Sequence, residues 1–151
     1  MALVSMLFSV QVSAADTKVA LEPGALTAAP PVSENIQSFS ISPSFKYLYE
    51  ANLGITTSSG LKVRLNATTM AYGIVDSLGA NVSLERYNGS IWVAVGTTSA
   101  LSAVSTDYYS GNADYVVTSG YYYRGKGTHW ARQGTLREEA TIYSPTVLVT
   151  Q

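Results

Sequence analysis

The chain has 151 residues, of which 46% are hydrophobic and 13% charged, with a formal net charge of -1 and no cysteine. That is enough apolar material for one domain with a real core and too little charge for a disordered chain. The near-neutral balance excludes the dense basic surface of non-specific nucleic-acid binders, and the missing thiols exclude disulfides, thiolate chemistry and Cys-ligated metals together.

Residues 1–14 form an uncharged run rich in Leu, Val, Met and Phe that ends in Val12-Ser13-Ala14. A short apolar run closing on small residues is what signal peptidase reads, and it falls short of the roughly 20 apolar residues that span a bilayer. The expectation is a signal peptide and a secreted working form beginning near Ala15. Met1-Ala2-Leu3-Val4 lacks the usual basic opening, which leaves two competing readings: a true start further upstream, or a buried apolar strand. No second apolar run reaches spanning length, so no membrane contact is expected after leader removal. Residues 15–37 are rich in Ala, Pro, Thr and Ser, with Pro23-Gly24 and Pro30-Pro31, and read as an extended linker. Residues 38–151 then form the folded domain.

The domain reads as short alternating runs separated by turn residues. Tyr47, Tyr49, Ala51, Leu53 and Ile55 alternate with mostly polar neighbours, and Ser58-Ser59-Gly60 turns the chain. Leu61, Val63 and Leu65 alternate with Lys62, Arg64 and Asn66, a strand with one buried face. After Asp76-Ser77-Leu78-Gly79 a strand runs to Tyr87, followed by the turn Asn88-Gly89 and a strand through Val95. Residues 99–107 read as a looser connection. Further strands are predicted at 113–118, 121–130, 136–143 and 147–150. About seven strands at this spacing predict a single antiparallel sandwich of the immunoglobulin or fibronectin type III kind.

Asn-Gly between β-rich runs is a strong hairpin signal because both residues tolerate positive φ. A symmetric two-residue turn sets Tyr87 opposite Ser90, Arg86 opposite Ile91, Glu85 opposite Trp92 and Leu84 opposite Val93. Val82, Leu84, Ile91, Val93 and Val95 then face the core, while Ser83, Glu85, Tyr87, Trp92 and Ala94 face outward. In the strand at 121–130 the parity holding Arg124 and Lys126 points out, since two cations rarely face a core unpaired. That set is Tyr122, Arg124, Lys126, Thr128 and Trp130. In the next strand Arg137, Glu139, Thr141 and Tyr143 face out, and Glu138 has the inward parity at a frayed end. The candidate ligand contacts are therefore Trp92, Tyr87, Tyr122, Arg124, Lys126 and Trp130, an aromatic and charged mixture that interfaces favour. The competing reading is structural, because such cross-strand pairs stabilise sheets by roughly 0.2–1 kcal/mol each.

The run Gly120-Tyr121-Tyr122-Tyr123-Arg124-Gly125-Lys126-Gly127-Thr128-His129, the acidic pair Glu138-Glu139, Ser144, and Trp92 before Val93-Ala94-Val95-Gly96 resemble an uncharacterised family of small exported β-sandwich proteins of Gram-positive gut bacteria. The resemblance extends over residues 47–150. It implies a leader plus a β-sandwich and no catalytic activity. Members often read Tyr-Arg-Val where this chain has Tyr123-Arg124-Gly125, and glycine there weakens a strand while leaving space for a neighbouring ring.

Chemistry is otherwise sparse. His129 is the sole histidine, and no Gly-x-Ser-x-Gly elbow accompanies it. Zinc on one His without Cys would need three converging carboxylates. Glu138 and Glu139 point to opposite faces of a strand, unlike the paired carboxyls of a glycosidase. Asp107, Asn112 and Asp114 read as lying in a Gly-bearing loop whose spacing is not that of a helix-loop-helix calcium loop. The expectation is a secreted, non-catalytic binding or adhesion module without cofactor or metal, contacting an extracellular glycan or protein. The alternatives are a structural or self-associating exported protein and, less well supported, a small hydrolase.

Overall fold

Two strands far longer than their neighbours organise the molecule. In the computed structural model, which describes residues 20–31 and 44–150, β2 (Lys62–Tyr87) has 26 residues and β3 (Trp92–Val116) has 25. They are antiparallel along almost their whole length. With β1 (Leu48–Ser58), β4 (Tyr121–Gln133), β5 (Leu136–Tyr143) and β6 (Val147–Val149) they make one six-stranded antiparallel sheet. No helix occurs among the described residues. The expected leader at 1–14 lies outside them.

Six strands replace the seven or so expected because two breaks read from the sequence are absent. Asp76-Ser77-Leu78-Gly79 continues β2, and residues 99–107 continue β3, with Ala80 opposite Leu101, Gly79 opposite Ser102 and Leu78 opposite Ala103. Asp, Ser, Gly and Ala, which make up most of these stretches, carry little β signal of their own. A full-length partner strand supplies their backbone hydrogen bonds, and this outweighs weak local propensity.

The irregularity lies elsewhere. The β2–β3 register shifts between Met70 and Val75, and Ser105 takes a φ of 51° opposite this region. On the other edge of β2, β1 pairs with Lys62 to Ala71 and β4 pairs with Ser77 to Arg86. Extra residues at a bulge bend the ribbon. The sheet curls there into a half-barrel whose concave side holds the core.

That core contains Ala51, Leu53, Val63, Leu65, Ala67, Ala80, Val82, Leu84, Ala113, Tyr115 and Tyr123, with a second cluster of Leu48, Val75, Leu78 and Ala131. Gly125 and Gly127 let the two halves meet. A Cβ on Gly125 would stand 2.6 Å from Leu65 Cδ2 and 3.1 Å from Leu53 Cδ2. Leucine methyls, not a ring, fill the space this glycine leaves.

A bulge also corrects the face of β1. The register shifts between Leu48 and Glu50, so Leu48 is buried while Tyr49 is exposed, and Ala51 and Leu53 return inward. Tyr49 therefore leaves the alternation that the sequence suggested, and its ring lies 4.9 Å from that of Tyr72.

Candidate binding face

The turn between β2 and β3 places the expected contact residues. Asn88 Oδ1 accepts the N–H groups of Ser90 at 3.0 Å and Ile91 at 2.9 Å, and Asn88 N–H donates to Ile91 C=O at 3.1 Å. The side chain closes a four-residue turn from Asn88 to Ile91, so Tyr87 pairs with Trp92, Arg86 with Val93 and Glu85 with Ala94. The expected two-residue turn is thus corrected by a shift of two positions. A shift of two leaves each residue on its original face, and Glu85, Tyr87 and Trp92 share the outer side. Two expected core residues do not reach the core: Ile91 lies in the turn and Val93 at the sheet's end, and both are exposed.

Arg124 is the centre of the outer face. It lies opposite Glu85 in the β2–β4 register, and its Nε is 2.8 Å from Glu85 Oε2. The guanidinium stands 4.2 Å from the Trp92 ring centroid and 4.3 Å from that of Tyr143, so it is held between two rings. The Tyr87 ring is tilted against that of Trp92, with centroids 5.3 Å apart. Only 12% of the Arg124 side chain and 16% of the Glu85 side chain is exposed. A cation over an aromatic face is worth about 0.5–2 kcal/mol, more as water is removed, so the row is stiff before any partner arrives.

Further along β4 a second stack repeats the chemistry. Trp130 lies opposite Glu139, Arg137 stands 4.2 Å over the Trp130 ring, and Arg137 also pairs with Glu139. Thr128 and Thr141 hydroxyls, 3.2 Å apart, lie between the stacks, beside half-buried Lys126 opposite Tyr143. Arg124 and Trp130 are six positions apart on β4, about 20 Å at ~3.3 Å per residue. Trp92, Trp130 and Lys126 are partly accessible, whereas Tyr87 and Tyr122 are buried.

The remaining chemistry-bearing residues sit apart from this face. His129 is fully buried on the concave side, with Nδ1 2.8 Å from Thr69 Oγ1. Thr69 donates its proton to Gly79 C=O at 3.1 Å, so the ring nitrogen donates to Thr69 and Nε2 is left as an acceptor without a partner. Burial pushes the His129 pKa down to about 4 and keeps the ring neutral.

Glu138 is not at a frayed end. It is buried opposite Ala131 and accepts backbone N–H groups from Lys46, Tyr47 and Leu48 at 2.7, 2.9 and 2.9 Å. Burial alone would raise its pKa, but these three donors and the Lys46 charge outweigh it and hold the carboxyl below its ordinary value. Nothing in the local pattern marks this residue, because its partners are more than 85 positions away in the chain, with |i−j| of 90 to 92.

Asp107, Asn112 and Asp114 lie on β3 and not in a loop, and Asp114 takes Arg64 through both oxygens at 2.6 and 2.8 Å. Among the described residues no group of three or more His, Asp or Glu converges as a metal site would need. A cleft of about 540 Å³ between the β1–β2 turn and β6 is lined by Thr57, Ser58, Ser59, Gly60, Leu61, Val149 and Thr150. It offers hydroxyls and an apolar floor but no titratable side chain.

Comparison with protein-family models, curated proteins and solved structures finds no match to this chain.

Proposed function

We propose that the chain is a secreted, non-catalytic binding or adhesion module that contacts an extracellular protein through the outer face of β2, β4 and β5 and the start of β3. The observation that carries this reading is the Arg124 guanidinium held between Trp92 and Tyr143 and paired with Glu85. Such a stack keeps aromatic and charged surface in place at little ordering cost, which is how interface anchors work. A protein partner is favoured over a glycan because guanidinium groups already lie over Trp92 and Trp130, where a sugar ring would stack.

The apolar leader at 1–14 supports secretion, and the motifs quoted above support kinship with small exported proteins of Gram-positive bacteria. A sandwich of immunoglobulin-like layering is part of the proposal. Its support is the contact of Leu53 and Leu65 with the glycine positions of β4, which sets one half of the curled sheet over the other.

The test is retention of the protein on an array of extracellular proteins and glycans. The expected result is retention on protein targets that falls at least tenfold in a Trp92→Ala, Trp130→Ala double variant that still folds. Retention indifferent to both rings, or confined to glycans, would overturn the assignment.

A further inference from the structure

The outer face is not bare, because residues 22–31 of the chain itself cross one end of it. Glu22-Pro23-Gly24-Ala25 forms a turn closed by Ala25 N–H to Glu22 C=O at 2.9 Å, with Gly24 at a φ of 84°. Proline second and a left-handed glycine third are what a type II turn requires. Leu26 N–H then donates to Gly120 C=O at 2.7 Å, and Gly120 N–H donates to Val149 C=O at 2.7 Å. A Cβ on Gly120 would stand 2.5 Å from Leu26 Cγ, so the sheet has a notch where the segment lies. Pro30 is buried, as is Tyr122, whose hydroxyl pKa is raised by burial and by the nearby Glu22 carboxylate.

The contact is complementary in shape but poorly satisfied. Thr27 Oγ1 and Tyr122 Oη are both buried without a hydrogen-bond partner. Leu21 and Leu26 keep 52% and 63% of their surface exposed. Buried hydroxyls left unpaired oppose docking, and the backbone bond from Leu26 does little more than offset them. Segments held this weakly open at low cost.

We propose that the notch at Gly120 and Tyr122 is a peptide-binding site that takes residues 22–31 of a second copy as well as those of its own chain, joining two molecules by exchanged segments. The fit is the one already present, since an exchanged segment repeats every contact of the closed form. Residues 32–43 join the segment to the chain entering β1, and a stretch of that length can span about 40 Å at ~3.3 Å per residue. That is enough to carry the segment onto an adjacent sheet. Pro23, Pro30 and Pro31 restrict the segment before it docks, so less is lost on ordering it in trans. This inference does not depend on the extracellular partner proposed above.

The experiment is light scattering on the full chain over a micromolar to millimolar range, with and without excess synthetic peptide of residues 22–31, either native or carrying Leu26→Pro. The substitution removes from the peptide the N–H that would meet Gly120, and far-UV circular dichroism checks that the sheet of the chain is intact throughout. The expected result is a dimer fraction that rises with concentration, is dispersed by the native peptide, and needs at least tenfold more of the Leu26→Pro peptide for the same dispersal. A chain that stays monomeric throughout would overturn the proposal. So would dimers that are indifferent to the peptide, or that both peptides disperse equally.

Discussion

Glu138 on β5 accepts the N–H of Leu48 on β1 at 2.9 Å, so a single carboxylate closes the open side of the curled sheet at one end. The same carboxylate takes the N–H groups of Lys46 and Tyr47, leaving the entry to β1 without orphaned donors there. The half-barrel is therefore fastened by a charge and not by a continuous ladder.

Glu138→Gln replaces one acceptor oxygen with an amide donor that faces backbone N–H groups. Hydrogen bonds to a charged group are worth about 1.5–3 kcal/mol each, and an unmatched donor adds to the loss. We expect about 2–4 kcal/mol of destabilisation in urea unfolding. A midpoint within error of the parent protein would contradict the role assigned to this latch.

Acid should weaken the fold in two stages. His129 has a folded pKa of about 4, well below its unfolded value, so the unfolded chain binds the extra proton first. Its contribution is complete above about pH 7 and is lost as pH falls toward 4, amounting to about 3 kcal/mol. Glu138 has a folded pKa held below the ordinary value, so its contribution is present above about pH 4.3 and is lost as pH falls through the folded pKa. Urea midpoints between pH 7.5 and 4.5 should decline in the parent and stay flatter in His129→Asn, whatever that variant's absolute stability.

Gly125→Val should cost about 1–3 kcal/mol, because the added atoms meet Leu65 Cδ2 and Leu53 Cδ2 in a closed core. Adding Leu65→Ala frees that space. The double variant is expected to lose less than the sum of the two single losses, a coupling that thermal unfolding of all four proteins would measure.

Arg124→Lys keeps the charge opposite Glu85 but removes the planar group lying between Trp92 and Tyr143. The expected loss is about 1–2 kcal/mol with a shift in tryptophan emission, because an ammonium cannot stack on both rings. Added salt should change the parent little, since the Arg124–Glu85 pair is largely shielded from water. A lysine variant with parental stability and emission would remove the stack from the account of this face.

Much of the face was legible from local pattern alone. The alternation through Tyr122, Arg124, Lys126, Thr128 and Trp130 reads out the pleat, and the structure puts these residues on one side as that parity demands. Asn88-Gly89 located the turn, yet its length depended on the Asn88 side chain bonding to Ser90 and Ile91, which dipeptide identity does not specify. Tyr49 was misplaced because the extra residue that flips its face leaves no mark in an alternating run. Burial of Tyr87 and Tyr122 was not foreseen for a different reason: in the case of Tyr122, chain that reads as linker lies over the face, near Gly120.

Taken alone, the amino-acid order determined an all-β, cysteine-free domain and the sidedness of its hairpin and last long strands, because a period of two is written in neighbouring residues. Only the tertiary structure decided that β2 and β3 run unbroken, that the sheet curls at Met70 to Val75, and that Glu138 reaches the start of β1. Each of these depends on partners distant in the chain, whose hydrogen bonds and packing outweigh local propensity.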